Sequence, residues 1–396
     1  MKLVEVNSKS LSSKFLDVAR IIYKDDPYWV CPLDSMINAI FNPKKNVFYT
    51  HGDASRWILL DDNNNLIGRV AAFVNEKKAY NFDQPTGGMG FFECIDDKDA
   101  AFMLFNKCSE WIKSKGMEAM DGPINFGEND NFWGLLVEGF NFSPSFGMSY
   151  HKSYYQTLFE EYGFESFFEQ VTNHLDMTIP FPERFWKIAN WIRKKPGYHF
   201  EHLRIKNIDK YISDLKEIYD NAWQFHENFT PISLKDLKES FSKAKAIIDE
   251  EFIWFVYNNK KPIAFLVMFP DANQILKKMN GKMHFINKLR FLYLSKNKAM
   301  TRTRIVIMGV IPEFQKFGVE SGIFWHMNQV MKKKPHYTEV ELSWVGDFNP
   351  KMKMLHESVG GKFAKKHITY RKLFNNMKLE KRSRVIPMNT KNHISD

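Results

Sequence analysis

The feature that most constrains this chain is an internal repeat marked by two pairs of residues with the same spacing. Trp57 begins the segment WILLDDNNNLIGRVAAFVN, and Trp254 begins the similar segment WFVYNNKKPIAFLVMF. Each segment has two apolar runs around a polar turn rich in Asn, which predicts a β-hairpin. Gly163 and Gly360 are separated by the same number of residues, and each ends a stretch that predicts a helix. The repeat therefore predicts two halves of one α+β architecture.

The order of predicted elements is the same in both halves. Each half contains two strands, a third strand, a helix, another strand and a last helix, with the central helices at residues 99–116 and 320–334. Two prolines in TIPFPERF interrupt the pattern and indicate the join. We therefore expect the halves at residues 1–178 and 179–373, followed by a basic tail at residues 374–396.

Composition narrows the classes of function. A net charge of +10 suits an anionic ligand, an anionic membrane surface or nucleic acid. No zinc-finger, helix-turn-helix or RNP-type pattern accompanies that charge, so no specific nucleic-acid partner is expected. The cysteines Cys31, Cys94 and Cys108 form no CxxC pair, and we expect reduced core thiols and no metal site. The sequence has no apolar secretory signal and no run near the roughly 18 residues of a membrane span, so we expect a cytoplasmic protein.

A candidate anion site follows the strand-like run TRTRIVIMGVIP at residues 301–312. The next residues, EFQKFGVE, lead directly into the second central helix. A glycine-containing loop at a helix N-terminus directs free backbone N–H groups and the positive end of the helix dipole at one point. The spacing Gln315-x-x-Gly318 would let a pyrophosphate approach the main chain. A plain strand-to-helix turn explains the same loop, so the neighbouring sequence has to decide between the two.

Two segments, taken in order, resemble the GNAT superfamily of acyl-CoA-dependent N-acyltransferases. VIPEFQKFGVE at residues 310–320 matches that family's pattern V-x-P-x-(Tyr/Phe)-(Gln/Arg)-x-x-Gly-x-(Gly/Ala), apart from its last position. Residues 339–373 match the family's later strand, Asn and glycine-ended helix. The resemblance covers roughly residues 200–373 and, more loosely, the first half. It implies two GNAT-like halves, each a mixed, mostly antiparallel sheet flanked by helices.

The resemblance also implies how the second half would bind acetyl-CoA or another acyl-CoA as co-substrate. The main chain at Met308, Gly309 and Val310 would lie beside the pantetheine arm, and Asn349 would lie near the pantetheine or the departing thiol. Glu320 stands where the family has Gly or Ala, and a carboxylate there would repel a phosphate unless it points away. The CoA pyrophosphate would be held by the backbone N–H groups of Gln315, Lys316, Phe317, Gly318, Val319 and Glu320.

The chemistry of this family needs an amine that loses a proton and a thiolate that gains one. Many members have a Tyr seven residues after the Asn, whereas this chain has His356, which could protonate a thiolate near neutral pH. Glu341 or Asp347 could relay the proton from the amine. A structural histidine and ordinary carboxylates explain the same residues, and both interpretations stay open at this point. No covalent intermediate is needed, in agreement with the lack of a nucleophile–base motif.

The first half lacks the phosphate-binding pattern. Its equivalent loop has Asp96, Asp97 and Asp99, whose carboxylates suit a helix N-terminus but repel a pyrophosphate. We therefore expect this half not to bind CoA. Its long loop-rich stretch at residues 121–149 is either a pocket wall or a cover over apolar surface. The polar and aromatic groups on and next to this stretch are Asn125, Glu128, Asn129, Asp130, Trp133 and Tyr150.

The second half carries an extra basic segment at residues 275–300. It mixes basic residues with Phe285, Phe291 and Tyr293, which suits a lid, a patch for an anionic acceptor or a surface for lipid head groups. A solvated excursion with an apolar underside explains it equally well. The basic residues are Lys277, Lys278, Lys282, Lys288, Arg290, Lys296 and Lys298.

These observations predict an acyl-CoA-dependent N-acyltransferase with a single CoA site, most simply an acetyltransferase acting on an unidentified amine. One alternative is a tRNA-dependent aminoacyl transferase of related fold, which would use the basic charge but would leave the loop from Gln315 to Gly318 without a role. A second alternative is a non-catalytic acyl-CoA-binding module, favoured by Glu320 and by the missing Tyr. Binding of CoA separates the first prediction from the tRNA-dependent alternative, and turnover separates it from the binding module.

Overall fold

The computed structural model describes residues 1–81, 83–127, 131–224, 231, 233–244, 247–375 and 379. The first half begins with a strand and two helices, continues with the predicted hairpin, and then alternates strands and helices. Its elements are β1 (Lys2–Glu5), α1 (Lys9–Ile22), α2 (Asp34–Ile40), β2 (Gly52–Leu60), β3 (Leu66–Asn75), α3 (Glu76–Ala79), β4 (Thr86–Cys94), α4 (Lys98–Ser114), β5 (Ala119–Gly122), β6 (Leu135–Glu138), α5 (Tyr155–Tyr162) and β7 (Glu165–Asp176).

The second half repeats this order with two added helices. Its elements are α6 (Glu183–Lys194), β8 (Tyr198–His202), α7 (Ile208–Trp223), α8 (Leu234–Ala244), β9 (Ile253–Asn258), β10 (Lys261–Pro270), α9 (Asn273–Leu276), α10 (Phe285–Lys296), β11 (Arg302–Val310), α11 (Val319–Lys333), β12 (Glu339–Glu341), β13 (Val345–Gly346), α12 (Pro350–Ser358) and β14 (Lys362–Leu373). The added helices are α6 and α10. The repeated α+β architecture predicted from the sequence is confirmed.

The strands form one 14-stranded sheet with the order β1-β2-β3-β4-β5-β14-β7-β12-β11-β10-β9-β8, and β6 and β13 pair with β14 and β7. The last strands of the two halves are exchanged. β14 lies between β5 and β7, and β7 lies between β14 and β12. Neither half completes its sheet with its own strands. The predicted boundary near residue 178 stays a prediction about domains, and the hydrogen-bonded sheet runs across it.

Helices cover both faces of the sheet, and this explains the apolar run Trp57–Leu60 at the end of β2. Trp57 and Leu59 belong to the core that contains α4 and α5, whereas Ile58 and Leu60 belong to the core that contains Phe15 of α1. Successive side chains of a strand point to opposite faces. A strand that is covered on both faces therefore reads as a continuous apolar run.

Local sequence signals set the ends of the last helix in each half. Gly163 and Gly360 follow α5 and α12 with φ of +91° and +87°, a left-handed conformation in which glycine is favoured. The side chain of Asn349 caps the N-terminus of α12 by accepting a hydrogen bond from the Met352 N–H. The equal spacing of the two glycines therefore reflects two equivalent helix ends.

The remaining expectations concern cysteines, membrane spans and the tail. The three cysteines are free and buried, and burial raises the pKa of Cys31 to about 11. No described helix combines the length and the apolar character needed to cross a bilayer. Apart from residues 374, 375 and 379, the predicted basic tail lies outside the described residues. The proposed pocket residues Glu128, Asn129 and Asp130 also lie outside them.

Candidate functional site

The sheet opens between β11 and β12. These parallel strands pair over three residues, from Arg302 opposite Glu339 to Arg304 opposite Glu341. β12 ends there, while β11 continues to Val310 and keeps only β10 as a strand partner among the described residues. The edge of β11 that contains Met308 and Gly309 therefore has no second strand partner in the described part of the chain, and we call this gap beyond the end of β12 the cleft. This is the edge along which the resemblance places the pantetheine arm.

The equivalent opening in the first half is filled by its own chain. β4 and β5 pair only from Thr86 to Gly88 on β4, as β11 and β12 do over three residues. Beyond this point the Ile124 N–H donates to the Met89 carbonyl at 2.8 Å, and a Cβ on Gly90 would lie 1.8 Å from the Ile124 carbonyl oxygen. No strand-like ligand could lie against this part of β4 without displacing residue 124.

Two tyrosines close the end of the same strand. The Tyr155 hydroxyl accepts from the Cys94 N–H at 3.0 Å, and the Tyr154 hydroxyl donates to the Cys94 carbonyl at 2.7 Å. Tyr154 directly precedes α5 and Tyr155 begins it, and burial raises the pKa of each phenol well above its ordinary value. The main chain at the end of β4 is therefore bonded within the first half, in contrast to the open edge of β11.

The loop after β11 presents free backbone donors at the mouth of the cleft. A single 3₁₀ turn at Pro312–Phe314 leads to Gly318, whose φ of +69° places it in the left-handed region before α11. The N–H groups of Lys316, Gly318 and Val319 donate to no other described residue. Free N–H groups at the N-terminus of a 15-residue helix form a ready site for a phosphate.

Glu320 lies in the first turn of α11, beside these donors. Its carboxyl is half-buried and accepts from its own backbone N–H. Burial raises the pKa of Glu320 to about 7, so that at neutral pH the protonated and ionised forms have comparable populations. The repulsion expected between a carboxylate and a pyrophosphate at this position therefore depends on pH.

The side chains around the loop include groups that the sequence did not single out. Gln315 does not point its amide outward: its Nε2 donates to the Val310 carbonyl at 3.0 Å, and its Oε1 accepts from Lys351 Nζ at 3.4 Å. The ammonium of Lys195 lies 4.9 Å from the centre of the exposed Phe317 ring. Lys351 and Lys195 add positive charge near the loop. Because they come from α12 and from the end of α6, no local motif indicates them.

His356 and Asn349, both predicted to lie near the thiol, belong to α12. His356 is 2% exposed, and its Nδ1 lies 3.2 Å from the side-chain amide of Asn173. Burial lowers the pKa of His356 to about 4, so the imidazole is neutral at neutral pH. A neutral imidazole is a poor source of a proton for a thiolate. The catalytic role of His356 and the ligand contact of Asn349 stay predictions.

Glu341, the second predicted catalytic residue, is fully buried in an ionic cluster. Its Oε2 lies 2.5 Å from Lys365 Nζ and 3.4 Å from His174 Nε2. Burial alone would raise the pKa of Glu341, but the neighbouring cations hold it well below its usual range. A carboxylate that is stabilised in this way is a weak base, and its role in proton transfer stays a prediction.

The structure does not bring the two predicted catalytic side chains together. Glu341 contacts His174 of β7, and His356 contacts Asn173, the preceding residue of the same strand. Successive side chains of a strand point to opposite faces. Glu341 and His356 therefore lie on opposite faces of the sheet, and one proton relay cannot join them directly.

A group of four buried polar side chains lies where the last strands of the two halves pair, and the sequence did not indicate it. Gln170 and Thr172 of β7 stand opposite His367 and Lys365 of β14, and all four side chains are at most 1% exposed. Gln170 Nε2, Thr172 Oγ1 and His367 Nδ1 have no hydrogen-bond partner among the described residues. Buried polar atoms are rarely left unbonded. Strand exchange creates this group, so neither half's sequence alone indicates it.

Fold and cleft together define a class: this chain has the tandem GNAT fold, with a cleft that no described strand fills in the second half and one that residue 124 fills in the first. No family model matches the sequence. Among solved structures, a tandem GNAT protein from the clavulanic acid biosynthesis pathway superimposes with a TM-score of 0.57 at 9% identity, covering 94% of this chain and 98% of that one. A GCN5-related glucosamine N-acetyltransferase region in a fungal GH3 β-N-acetylglucosaminidase has a TM-score of 0.55 at 11% identity, covering 94% of this chain and 38% of that one.

Two curated relatives align over most of their length. A protein of Caulobacter vibrioides named bacterial ceramide synthase is 26% identical over 383 residues, covering 94% of this chain and 97% of the relative. Protein YghO of Escherichia coli is 24% identical over 365 residues, covering 90% of this chain and 92% of the relative. The resemblance to GNAT proteins seen in the sequence is confirmed at the level of the fold.

Proposed function

We propose that this protein transfers an acyl group from an acyl-CoA to an amine, with its single CoA site in the second half. The observation that carries the proposal is the asymmetry of the two clefts. In the second half the described residues give β11 no second strand partner from Ile305 to Val310, where only the Val310 carbonyl is bonded, to Gln315, and the strand ends at a loop with unbonded N–H groups, whereas residue 124 fills the same opening in the first half. An extended pantetheine arm fits the free edge as an added strand, and the loop fits a pyrophosphate.

The transfer itself needs few protein groups. The amine nitrogen attacks the thioester carbon, the C–N bond forms, the C–S bond breaks, the nitrogen loses a proton and the sulfur gains one. Holding both reactants in one cleft makes the attack effectively unimolecular, and this accounts for much of the rate acceleration in such reactions. In this proposal Asn349 orients the thiol end. His356, neutral and buried, serves to position Asn173 or to pass a proton rather than to carry a standing positive charge.

We further propose that the acyl group is a fatty acyl chain and that the acceptor is a long-chain amino alcohol. The support is the name of the Caulobacter relative, bacterial ceramide synthase, because a ceramide is the amide of a fatty acid with such an amine. The sequence interpretation favoured acetyl transfer as the simplest case. The present proposal keeps the same bond chemistry and changes the chain length.

Release of free CoA thiol tests the proposal. We expect release from palmitoyl-CoA in the presence of sphinganine, with less release from acetyl-CoA or with a short amine in place of sphinganine. Lys316→Glu places a carboxylate beside the free N–H groups and should raise KM for acyl-CoA about tenfold or more. Lys333→Glu, the same change in the last turn of α11, is the matched control and should leave KM unchanged.

The outcomes separate the alternatives. CoA binding without release with any amine would favour the binding module. Amide formation from a charged tRNA in the absence of acyl-CoA would favour the tRNA-dependent transferase. Equal KM for the wild type, Lys316→Glu and Lys333→Glu would refute the loop as the pyrophosphate site. Gly318 is a poor test position, because its φ is positive and a Cβ there would lie 2.4 Å from Ile188.

A further inference from the structure

The helix α10, which has no counterpart in the first half, exposes an apolar stripe. Five large apolar side chains on this 12-residue helix are between 49% and 73% exposed. Exposed apolar residues that are scattered singly need no explanation, but a contiguous set on one helix indicates an interaction surface. The stripe consists of Phe285, Ile286, Leu289, Leu292 and Tyr293.

The stripe lies on the face of α10 that points away from the protein. At about 100° per residue, its five positions span an arc of about 120° around the helix. Phe291 lies on the opposite side of the helix and is buried in the second-half core, and Leu294 packs against that core. The helix is thus held by one face, while the other is presented to the surroundings.

The surface around the stripe is strongly basic. Residues 272–312 contain no Asp or Glu and nine Lys and Arg residues. Arg302 and Arg304 are buried and paired with Asp271 and Glu341, and the other seven are exposed. The exposed ones are Lys277, Lys278, Lys282, Lys288, Arg290, Lys296 and Lys298.

The segment before α10 is attached to the first half, so the helix stands on a fixed base. The Gly281 carbonyl accepts from the Asp34 N–H at 2.9 Å, and the Asn280 carbonyl accepts from Arg20 at 3.1 Å. The ammonium of Lys277 also donates to the Pro27 carbonyl. These contacts hold residues 277–281 against α1 and α2, and the exposed stripe extends from this base.

We propose that α10 is a membrane-docking helix that lies in the interface of a bilayer containing anionic lipids. A helix of about 18 Å is too short to span a bilayer, but an apolar face bordered by lysines and arginines suits insertion at the level of the head groups. The charge selects this partner over a second copy of the chain, because seven like charges would face seven like charges in a dimer. An anionic leaflet instead attracts each of them.

Vesicle flotation tests the proposal without any substrate, so its outcome does not depend on the proposed reaction. The full-length protein is mixed with vesicles of phosphatidylcholine alone or of phosphatidylcholine with phosphatidylglycerol. We expect binding to the mixed vesicles that weakens with salt. Phe285→Ser/Tyr293→Ser should reduce the partition coefficient about tenfold or more, because two large apolar groups no longer enter the interface.

A matched control and a charge variant complete the design. Val47→Ser/Tyr80→Ser removes two apolar side chains that are 60% and 63% exposed on the first half, and it should bind like the wild type. Lys288→Gln should weaken binding to the mixed vesicles about fivefold. Thermal melting by circular dichroism checks that each variant is folded.

Two results would overturn the proposal. One is equal flotation of the wild type and Phe285→Ser/Tyr293→Ser. The other is a wild-type dimer in sedimentation that this variant abolishes and that vesicles do not dissociate, since the stripe would then be a contact between copies.

Discussion

If CoA binds as proposed, we expect Glu320 to make that binding dependent on pH, and the size of the effect follows from its pKa. Its carboxyl lies beside the unbonded N–H groups of the loop, and burial raises its pKa to about 7. In the proposed complex a pyrophosphate would occupy the loop when this carboxyl is neutral and would be repelled when it is ionised. The apparent Kd is then the intrinsic Kd divided by the protonated fraction. That factor is about 1.1 at pH 6 and about 11 at pH 8, so binding weakens about tenfold between these values.

Calorimetric titration at pH 6, 7 and 8 measures this effect. 3′-Dephospho-CoA is the suitable ligand, because a phosphate monoester titrates near pH 6 whereas the pyrophosphate keeps its charge across this range. We expect Glu320→Gln, which cannot ionise, to bind equally at all three values and to match the wild type at pH 6. Glu313→Gln is the control, because Glu313 lies on the same loop but is exposed and paired with Lys261.

The result that would refute this reasoning is a flat pH profile for the wild type, or a profile for Glu320→Gln as steep as that of the wild type. The first would mean that the carboxylate and the pyrophosphate do not meet. The second would mean that a group other than Glu320 titrates. The assignment of Lys316 and the backbone donors to the pyrophosphate site would then have to be revised.

The same structure makes two stability predictions. The pKa of Glu320 is higher in the folded than in the unfolded state, so its ionisation lowers the free energy of unfolding as pH rises from about 4.5 to about 7. In urea denaturation at pH 8, we therefore expect the free energy of unfolding of Glu320→Gln to be about 1–2 kcal/mol higher than that of the wild type. At pH 4.5 we expect no difference. Glu341→Gln leaves Lys365 buried without its carboxylate and should lower the free energy of unfolding by about 3–5 kcal/mol. Glu341→Leu/Lys365→Met removes both charges and should recover most of that loss. A loss under about 1 kcal/mol for Glu341→Gln would contradict the ionic cluster.

Much of the fold could be predicted from the sequence because its signals are local. The hairpins follow from apolar runs around Asn-rich turns, and the helix ends at Gly163 and Gly360 follow from the left-handed conformation that glycine tolerates. The loop from Gln315 to Gly318 could be located for the same reason. Strand, turn and helix N-terminus are adjacent in the chain, so their residues specify the loop without reference to distant parts.

The candidate site could be predicted only in part, since its side chains come from both halves. Lys195 and Lys351 reach the loop from separate helices. The environments of His356 and Glu341 depend on β7, which contributes Asn173 to one face and His174 to the other. Residue spacing gives no information about which face of a neighbouring strand a side chain will meet.

The sequence by itself therefore determined the repeated architecture, the position of the loop from Gln315 to Gly318 and the absence of that loop's pattern from the first half. Only the tertiary structure decided that the last strands are exchanged, that residue 124 fills the first cleft, that Glu320 is half-buried, and that the apolar residues of α10 point outward. The physical reason is that local conformation depends on neighbours in the chain. Burial, pairing and pKa depend on atoms brought together by contacts between distant segments, which no short stretch of sequence contains.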